Sequence, residues 1–390
     1  SLSGGSFSDW IVGGAWTDVS NTNTYLGAVE VALSGGSTSG NVLGGTYMAA
    51  GVGSAEVGTI NMQISNTATV QGTLYGGCYI NGTGADSFSV SVGDVQIVLT
   101  GGTLGTVVGG SYVTRNHADA VVQQGHISLS LQGGALSGNL YAAGQQEGAS
   151  SLQTLSTTVQ IAAEAALAPG ITISGGYAGT APSATVQGER SLVLSSAAEY
   201  SDTSAVTFAD FDAIDVAAGG SATLGALQGS TTLTKRGAGQ LEIQGATGLS
   251  SLILQGGSLS LTEALAGASV QSLHMQAGTQ LQGITGTLFA GSTGQTDLLL
   301  TVDESNIGAD SAATPMLSGS NFTLSITGAQ NAQIDLSADA VVSVLESHRD
   351  AGATSWITLT DGLLEWAQEA DAAITPTLSV YGIRVSGTNG

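Results

Sequence analysis

The chain has 390 residues, of which only 9% are charged, and 6 basic residues stand against 29 acidic ones for a net charge of −23. So few cations cannot neutralise a run of phosphates, which excludes nucleic acid as a partner and disfavours anionic lipid headgroups. With 59 glycines, 4 prolines and 42% hydrophobic residues, the composition is too apolar for disorder and lacks the Gly-X-Y period of collagen.

The first half, 1–195, repeats one pattern six times: a glycine, an alternating strand, a small-residue break, then an apolar pair, Gly-Gly and an aromatic. The anchors are Ile11-Val12-Gly13-Gly14-Ala15-Trp16, Val42-Leu43-Gly44-Gly45-Thr46-Tyr47, Leu74-Tyr75-Gly76-Gly77-Cys78-Tyr79 and Val107-Val108-Gly109-Gly110-Ser111-Tyr112. A weaker copy, Leu140-Tyr141-Ala142-Ala143-Gly144-Gln145, precedes Ile173-Ser174-Gly175-Gly176-Tyr177. The second doublet positions (14, 45, 77, 110, 143, 176) are separated by 31, 32, 33, 33 and 33 residues, a period that belongs to stacked repeats.

From each leading glycine, apolar residues fall at the second, fourth and sixth positions: Val29, Val31 and Leu33; Ile60, Met62 and Ile64; Val95, Ile97 and Leu99; Ile127, Leu129 and Leu131. A period of two puts these on one face and Glu30, Asn61, Gln63, Gln96, Ser128 and Ser130 on the other. The alanine-rich stretch Thr158 to Ala168 suggests a helix, but Val159, Ile161 and Ala163 fit the same three inward slots, so a strand is expected. Trp16, Tyr47, Tyr79 and Tyr112 should stack in one column, with Cys78 as a small packing residue beside it, equivalent to Thr46 and Ser111. Polar loops follow the aromatics, at Thr17 to Thr24, Ile80 to Val90 and Val113 to Gln124. The reading is all-β: a parallel β-helix, or solenoid, with loops protruding on one side. A β-sandwich would leave six in-phase copies unexplained.

Near residue 196 the pattern changes to lean coils that run to 283. They include Leu233-Thr234-Lys235-Arg236-Gly237-Ala238-Gly239-Gln240-Leu241-Glu242-Ile243-Gln244-Gly245, and the step from Leu252 to Leu273 is 21. The segment Leu233 to Gly245 resembles the autotransporter-associated β-strand repeat, Leu-Thr-Lys-x-Gly-x-Gly-x-Leu-x-Leu-x-Gly, and departs from it only at Ile243. The resemblance is specific over about 200–283. It implies a right-handed, single-stranded parallel β-helix in the passenger domain of an autotransporter, the type V secretion system, exported through a C-terminal outer-membrane barrel. The abrupt start at Ser1 and stop at Gly390 read as the ends of a passenger fragment, and a low cysteine count suits export of an unfolded chain. No apolar run approaches membrane-spanning length, so this segment should not insert.

The final stretch, 284–390, should form a less regular β cap. Strand-like runs occur at Asp297 to Val302, Phe322 to Thr327, Ala340 to Leu345, Ser355 to Thr360 and Leu378 to Val385. One short helix is expected at 361–373, capped by Asp361 and followed by Pro376.

Chemistry-bearing clusters are sparse. Arg115, Asn116, His117 and Asp119 share a loop, where His and Asp could act as an acid/base pair and Arg as an anion holder; the bland reading is a solvated loop tip. Asp94 and His126 each follow a leading glycine in consecutive repeats and could lie side by side, either as a charge pair or as a surface contact of little worth. Asp210, Asp212 and Asp215 could reach glycosidase spacings on a strand face but read more simply as solvated. The run Asp303 to Asp310 has the content of a calcium loop but the wrong spacing, with Ile307 at position five and Thr314 at position twelve. Cys78 stands alone, which excludes an internal disulfide and a Cys-based zinc site. No metal or cofactor is expected. The function expected is a monomeric, non-enzymatic adhesin or structural protein, secreted or on the surface of a Gram-negative-type bacterium, binding a host or matrix glycan or protein through its loops. The alternatives are a glycan-active enzyme using Asp94, His117, Asp119 and His126, and a passenger that self-associates.

Overall fold

Within each unit the strands pair in parallel, each with its counterpart in a neighbouring coil, which makes the protein a parallel β-solenoid. This is a computed structural model. It describes residues 1–17, 23–48, 54–81, 89–114, 121–147, 151–179, 183–200, 202–261, 272–275, 279–282, 299–303, 323–327, 332–334, 356–360, 364–366 and 382–386. Ser1–Ser196 with Tyr200–Ala213 form one compact unit, and Ala197–Glu199 with Ile214–Gly390 form a second.

A coil of the first unit has three two-residue strands and one long strand. Ser37–Thr38, Val42–Leu43, Tyr47–Met48 and Ser54–Ile64 make up one such coil. The inward slots line up as the alternation requires: Val29, Ile60, Val95 and Ile127 share a column, and all are buried. The fifth coil departs from the expected register. Leu129 faces Val159 and Leu131 faces Ile161, so Thr157 takes the slot beside Ile127, and Ala163 lies past the strand's end at Ile161. The count slips because Leu155 stands where earlier coils have the leading glycine. Thr157 suits the slot because its hydroxyl donates to the Gly175 carbonyl at 2.8 Å.

At the Gly-Gly corner the backbones of successive coils meet. The N–H groups of Gly76 and Gly77 donate to Val108 and Gly110 at 2.8 and 3.0 Å, and a Cβ on Gly76 would collide with the Gly109 carbonyl. The next backbone N–H points inward and finds a side chain instead of a carbonyl. Thr46 N–H donates to Cys78 Sγ (3.5 Å), Cys78 N–H to Ser111 Oγ (3.0 Å), and Ser111 N–H to Gln124 Oε1 (2.6 Å). Gln124 Nε2 then donates to the Ala143 carbonyl and Thr154 Oγ1, both at 2.9 Å. A buried amide must be paired. The slot therefore holds small residues that can accept a hydrogen bond, a second requirement beyond the size that the sequence suggested for Cys78.

The aromatic column forms as expected over Trp16, Tyr47, Tyr79 and Tyr112. Trp16 stacks on Tyr47 at 3.9 Å and Tyr47 on Tyr79 at 5.2 Å, while Tyr79 meets Tyr112 edge-on at 4.8 Å. The column continues through Gln145 and Ala178. Tyr177 falls one place earlier because it follows Gly175-Gly176 directly.

In the second unit, Thr232–Arg236, Ser251–Leu254 and Ser272–Met275 stack with Leu233, Leu252 and Leu273 in register. Gln240–Ile243, Ser258–Leu261 and Gln280–Gln282 form a second sheet. Leu299–Asp303, Thr323–Thr327, Trp356–Thr360 and Gly382–Ser386 continue the first sheet, at four of the five expected runs; 340–345 lies outside the described residues. The expected helix at 361–373 is not formed at Leu364–Trp366, which is a strand paired with Ala332–Ile334. Helical composition there yields to parallel pairing with a partner some thirty positions earlier, a contact that local pattern cannot register. The one helical turn among the described residues is a 3-10 turn at Asp202–Ala205, and none of their helices is long and apolar enough to cross a membrane.

The acceptor slot predicts an order of stabilities. Cys78→Ser should leave the urea midpoint close to wild type, whereas Cys78→Val, which fills the space but strands the Thr46 N–H, should lose about 1–3 kcal/mol. Equal midpoints for the two variants would show that size alone matters.

Candidate functional site

The richest constellation among the described residues lies where the six-fold pattern ends. Phe208 and Phe211 are both fully buried, their rings 6.4 Å apart, so the chain between them must turn sharply. Asp210 makes that turn in the left-handed region, with φ 57°, and Asp and Asn reach this region more readily than other non-glycine residues. Asp210 Oδ2 accepts the Ser174 hydroxyl at 2.9 Å, and Ser174 Oγ in turn accepts the Gly176 N–H at 3.0 Å.

Arg190 opens the strand Arg190–Leu194 and lies in register with Thr157, in the column of Ile127 and Ile60. A guanidinium there needs a partner. Asp212 supplies one: Arg190 Nε donates to Oδ2 at 2.9 Å and Nη2 to Oδ1 at 2.6 Å. The backbones reinforce the pair, with Arg190 N–H on Asp212 Oδ2 at 2.9 Å and Asp212 N–H on the Arg190 carbonyl at 2.8 Å. The Asp212 hydrogen bonds raise the arginine's pKa against the opposing effect of burial. Tyr177 completes the wall. Its hydroxyl donates to the Thr185 carbonyl at 2.7 Å and lies 2.8 Å from Thr154 Oγ1, and burial pushes its pKa up to about 12. Between these groups is an open cleft of about 440 Å³, floored in part by Gly176 and Gly188.

Of the residues singled out from sequence, Arg115, Asn116, His117 and Asp119 lie outside the described residues, as do 304–310 of the calcium-like run. Asp94 and His126 are brought together, but through the backbone: Asp94 Oδ1 accepts the His126 N–H at 2.9 Å, while the imidazole Nδ1 sits 2.6 Å from Ser156 Oγ. Asp210 and Asp212 are engaged by Ser174 and Arg190. Asp215 belongs to the second unit, where its charge acts on Lys235. Cys78 is fully buried, and burial raises its thiol to about 11, the opposite of an activated nucleophile. No group of three or more metal-ligating side chains gathers among the described residues.

Sequence reasoning missed Arg190. The signal was available: a charged residue in an otherwise apolar or hydroxyl-bearing column, in a chain with 6 cations. It also missed the job of Lys235, which is fully buried with Nζ donating to the carbonyls of Arg236, Gly237 and Gly256 at 2.6, 2.8 and 3.0 Å. No family model, curated protein or solved structure matches the chain.

Burial pulls the Lys235 ammonium down from 10.5 to about 8, with Asp215 acting in the opposite sense. The unfolded chain thus holds this proton more tightly than the folded one. The group disfavours folding below about pH 8, and the penalty fades as pH rises toward 10.5. Between those limits the urea midpoint of the wild type should climb relative to Lys235→Met; a constant difference would show that the lysine titrates normally.

Proposed function

We propose that the chain is an autotransporter-type passenger on the surface of, or secreted from, a Gram-negative-type bacterium, acting as a non-enzymatic adhesin or structural surface protein. In this reading it is a monomer that binds a host or matrix glycan or protein through loops on one edge, and the full-length protein carries an outer-membrane barrel. The passenger assignment rests on the motif Leu233 to Gly245.

The observation that carries the adhesive reading is where the loops attach. Segments 18–22, 49–53, 82–88, 115–120, 148–150 and 180–182 each join the third short strand of a coil to its long strand. Their anchor residues stack in register, Met48 beside Ile80 and Val113 before the loop, and Ser54 beside Ser89 and Val121 after it. Parallel strands lie about 4.7–4.9 Å apart, so neighbouring loops leave one edge at close spacing and could engage a repeating ligand together. The long sheet adds an outward row of Glu30, Asn61, Gln96, Ser128 and Thr158. The enzymatic alternative gains less support, because the Asp94 carboxylate is committed to a backbone amide.

Purified chain should bind on a glycan or matrix-protein array, and replacing 115–120 by a short Gly-Ser link should weaken binding by roughly tenfold or more, about 1.4 kcal/mol. Gln124 must be kept, since it belongs to the interior. Absence of binding on both arrays, or turnover of a bound glycan, would defeat this reading.

A further inference from the structure

The cleft beside Asp210 has unused hydrogen-bonding capacity. A guanidinium has five N–H donors. Asp212 takes one from Nε and one from Nη2 of Arg190, which leaves Nη1 and the second Nη2 hydrogen unengaged. Asp210 accepts Ser174 through Oδ2 only, so Oδ1 remains as an acceptor. Donor and acceptor line the same cleft. Both are held in place beforehand, Arg190 by the fork on Asp212 and Asp210 by the turn between two buried phenylalanines. Tyr177 has its hydroxyl tied to Thr185, which fixes the ring in the wall.

Charge narrows the ligand. One arginine against two aspartates gives the cleft a net negative charge in a chain of net −23, which rejects phosphate, sulfate and acidic sugars. Arg190 donates three hydrogen bonds to Asp212, and the acceptor positions left on the two carboxylates do not make a calcium site, which takes 6–8 oxygens. A donor and an acceptor in one cleft with an aromatic residue in its wall suit a neutral polyol, whose vicinal hydroxyls each give and take a hydrogen bond while its C–H face packs on a ring. A volume of about 440 Å³ falls in the usual range for small-molecule sites.

We propose that this cleft is a binding subsite for one ring of a neutral saccharide, with Asp210 accepting from one hydroxyl and Arg190 donating to its neighbour. The choice of ligand class rests on the reading of the chain as a glycan- or protein-binding surface protein; the cleft itself lies in the solenoid wall and uses none of the residues in 115–120.

The test is two-dimensional NMR of the whole chain, titrated with neutral hexoses, deoxyhexoses, pentoses and N-acetylhexosamines, and with lysine amide as a cationic probe. A neutral sugar should shift the amides of Gly176, Tyr177 and Gly188 in a saturable manner, with a dissociation constant in the millimolar range or tighter. Asp210→Asn keeps the turn and the Ser174 bond but removes the charge, and should weaken binding several-fold. Asp210→Gly fits φ 57° without strain, so the turn should survive the loss of the Ser174 bond, with the fold checked by the unchanged amide spectrum of the distant coils, and should abolish the shifts. The shortened 115–120 variant should bind the sugar as wild type does. The proposal is overturned if no neutral sugar moves those amides, if only lysine amide does, or if Asp210→Gly binds unchanged. Array binding that depends on 115–120 in a protein whose cleft is silent would remove the subsite and leave the adhesive reading standing.

Discussion

Everything in the first unit follows from how closely one coil can lie on the next at the Gly-Gly corner. Two backbones meet there with no room for a Cβ, as the positions of Gly76 against Gly109 and Gly109 against Ala142 require. The tight corner turns the following amide into the interior, away from any carbonyl. The chain answers with a side-chain acceptor, sulfur at Cys78 and hydroxyl at Ser111 from the next coil, and amide oxygen at Gln124 from the long strand of the same coil. Packing and hydrogen bonding are thus settled by the same few positions, and variation is displaced to the next corner along the coil, where the loops attach.

Much of this is legible in the sequence, because a solenoid writes its geometry as a period. The inward triplets, the aromatic column and the pairing of Leu252 with Leu273 all follow from spacing alone. Spacing fails where a repeat is edited. Leu155 in place of a leading glycine shifts the fifth strand's count, and only the partner coil reveals that Thr157 fills the slot. The strand at Leu364–Trp366 fails for a related reason, since its partner at Ala332–Ile334 belongs to no visible period. The cleft was the least legible feature. Asp210 and Asp212 stand out as acids in the sequence, but nothing local says that Arg190, twenty-two residues before Asp212, arrives opposite it.

Scarcity of cations gives each one weight. Arg190 and Lys235 are drawn at least partly inside, the first held by a carboxylate and the second by three carbonyls. Each neutralises polar groups that the fold would otherwise leave exposed at a turn, and neither is spent on solubility, which the excess of acid already secures. In Lys235 the motif Leu-Thr-Lys-x-Gly gains a physical meaning: the lysine closes the turn that the glycines open.

The acceptor slots also give the solenoid a direction. The amides of two successive coils look to the coil that follows, from Thr46 to Cys78 and from Cys78 to Ser111, and the series closes where Ser111 turns to Gln124 of its own coil. Removing coils from the amino-terminal side leaves behind an idle acceptor, a condition the Thr46 hydroxyl already tolerates, buried and without a partner. Removing the coil of Cys78 or that of Ser111 from the other side leaves a buried N–H with nowhere to turn. Serial truncation should therefore be asymmetric, and a growing stack is better templated by its later coils than by its earlier ones.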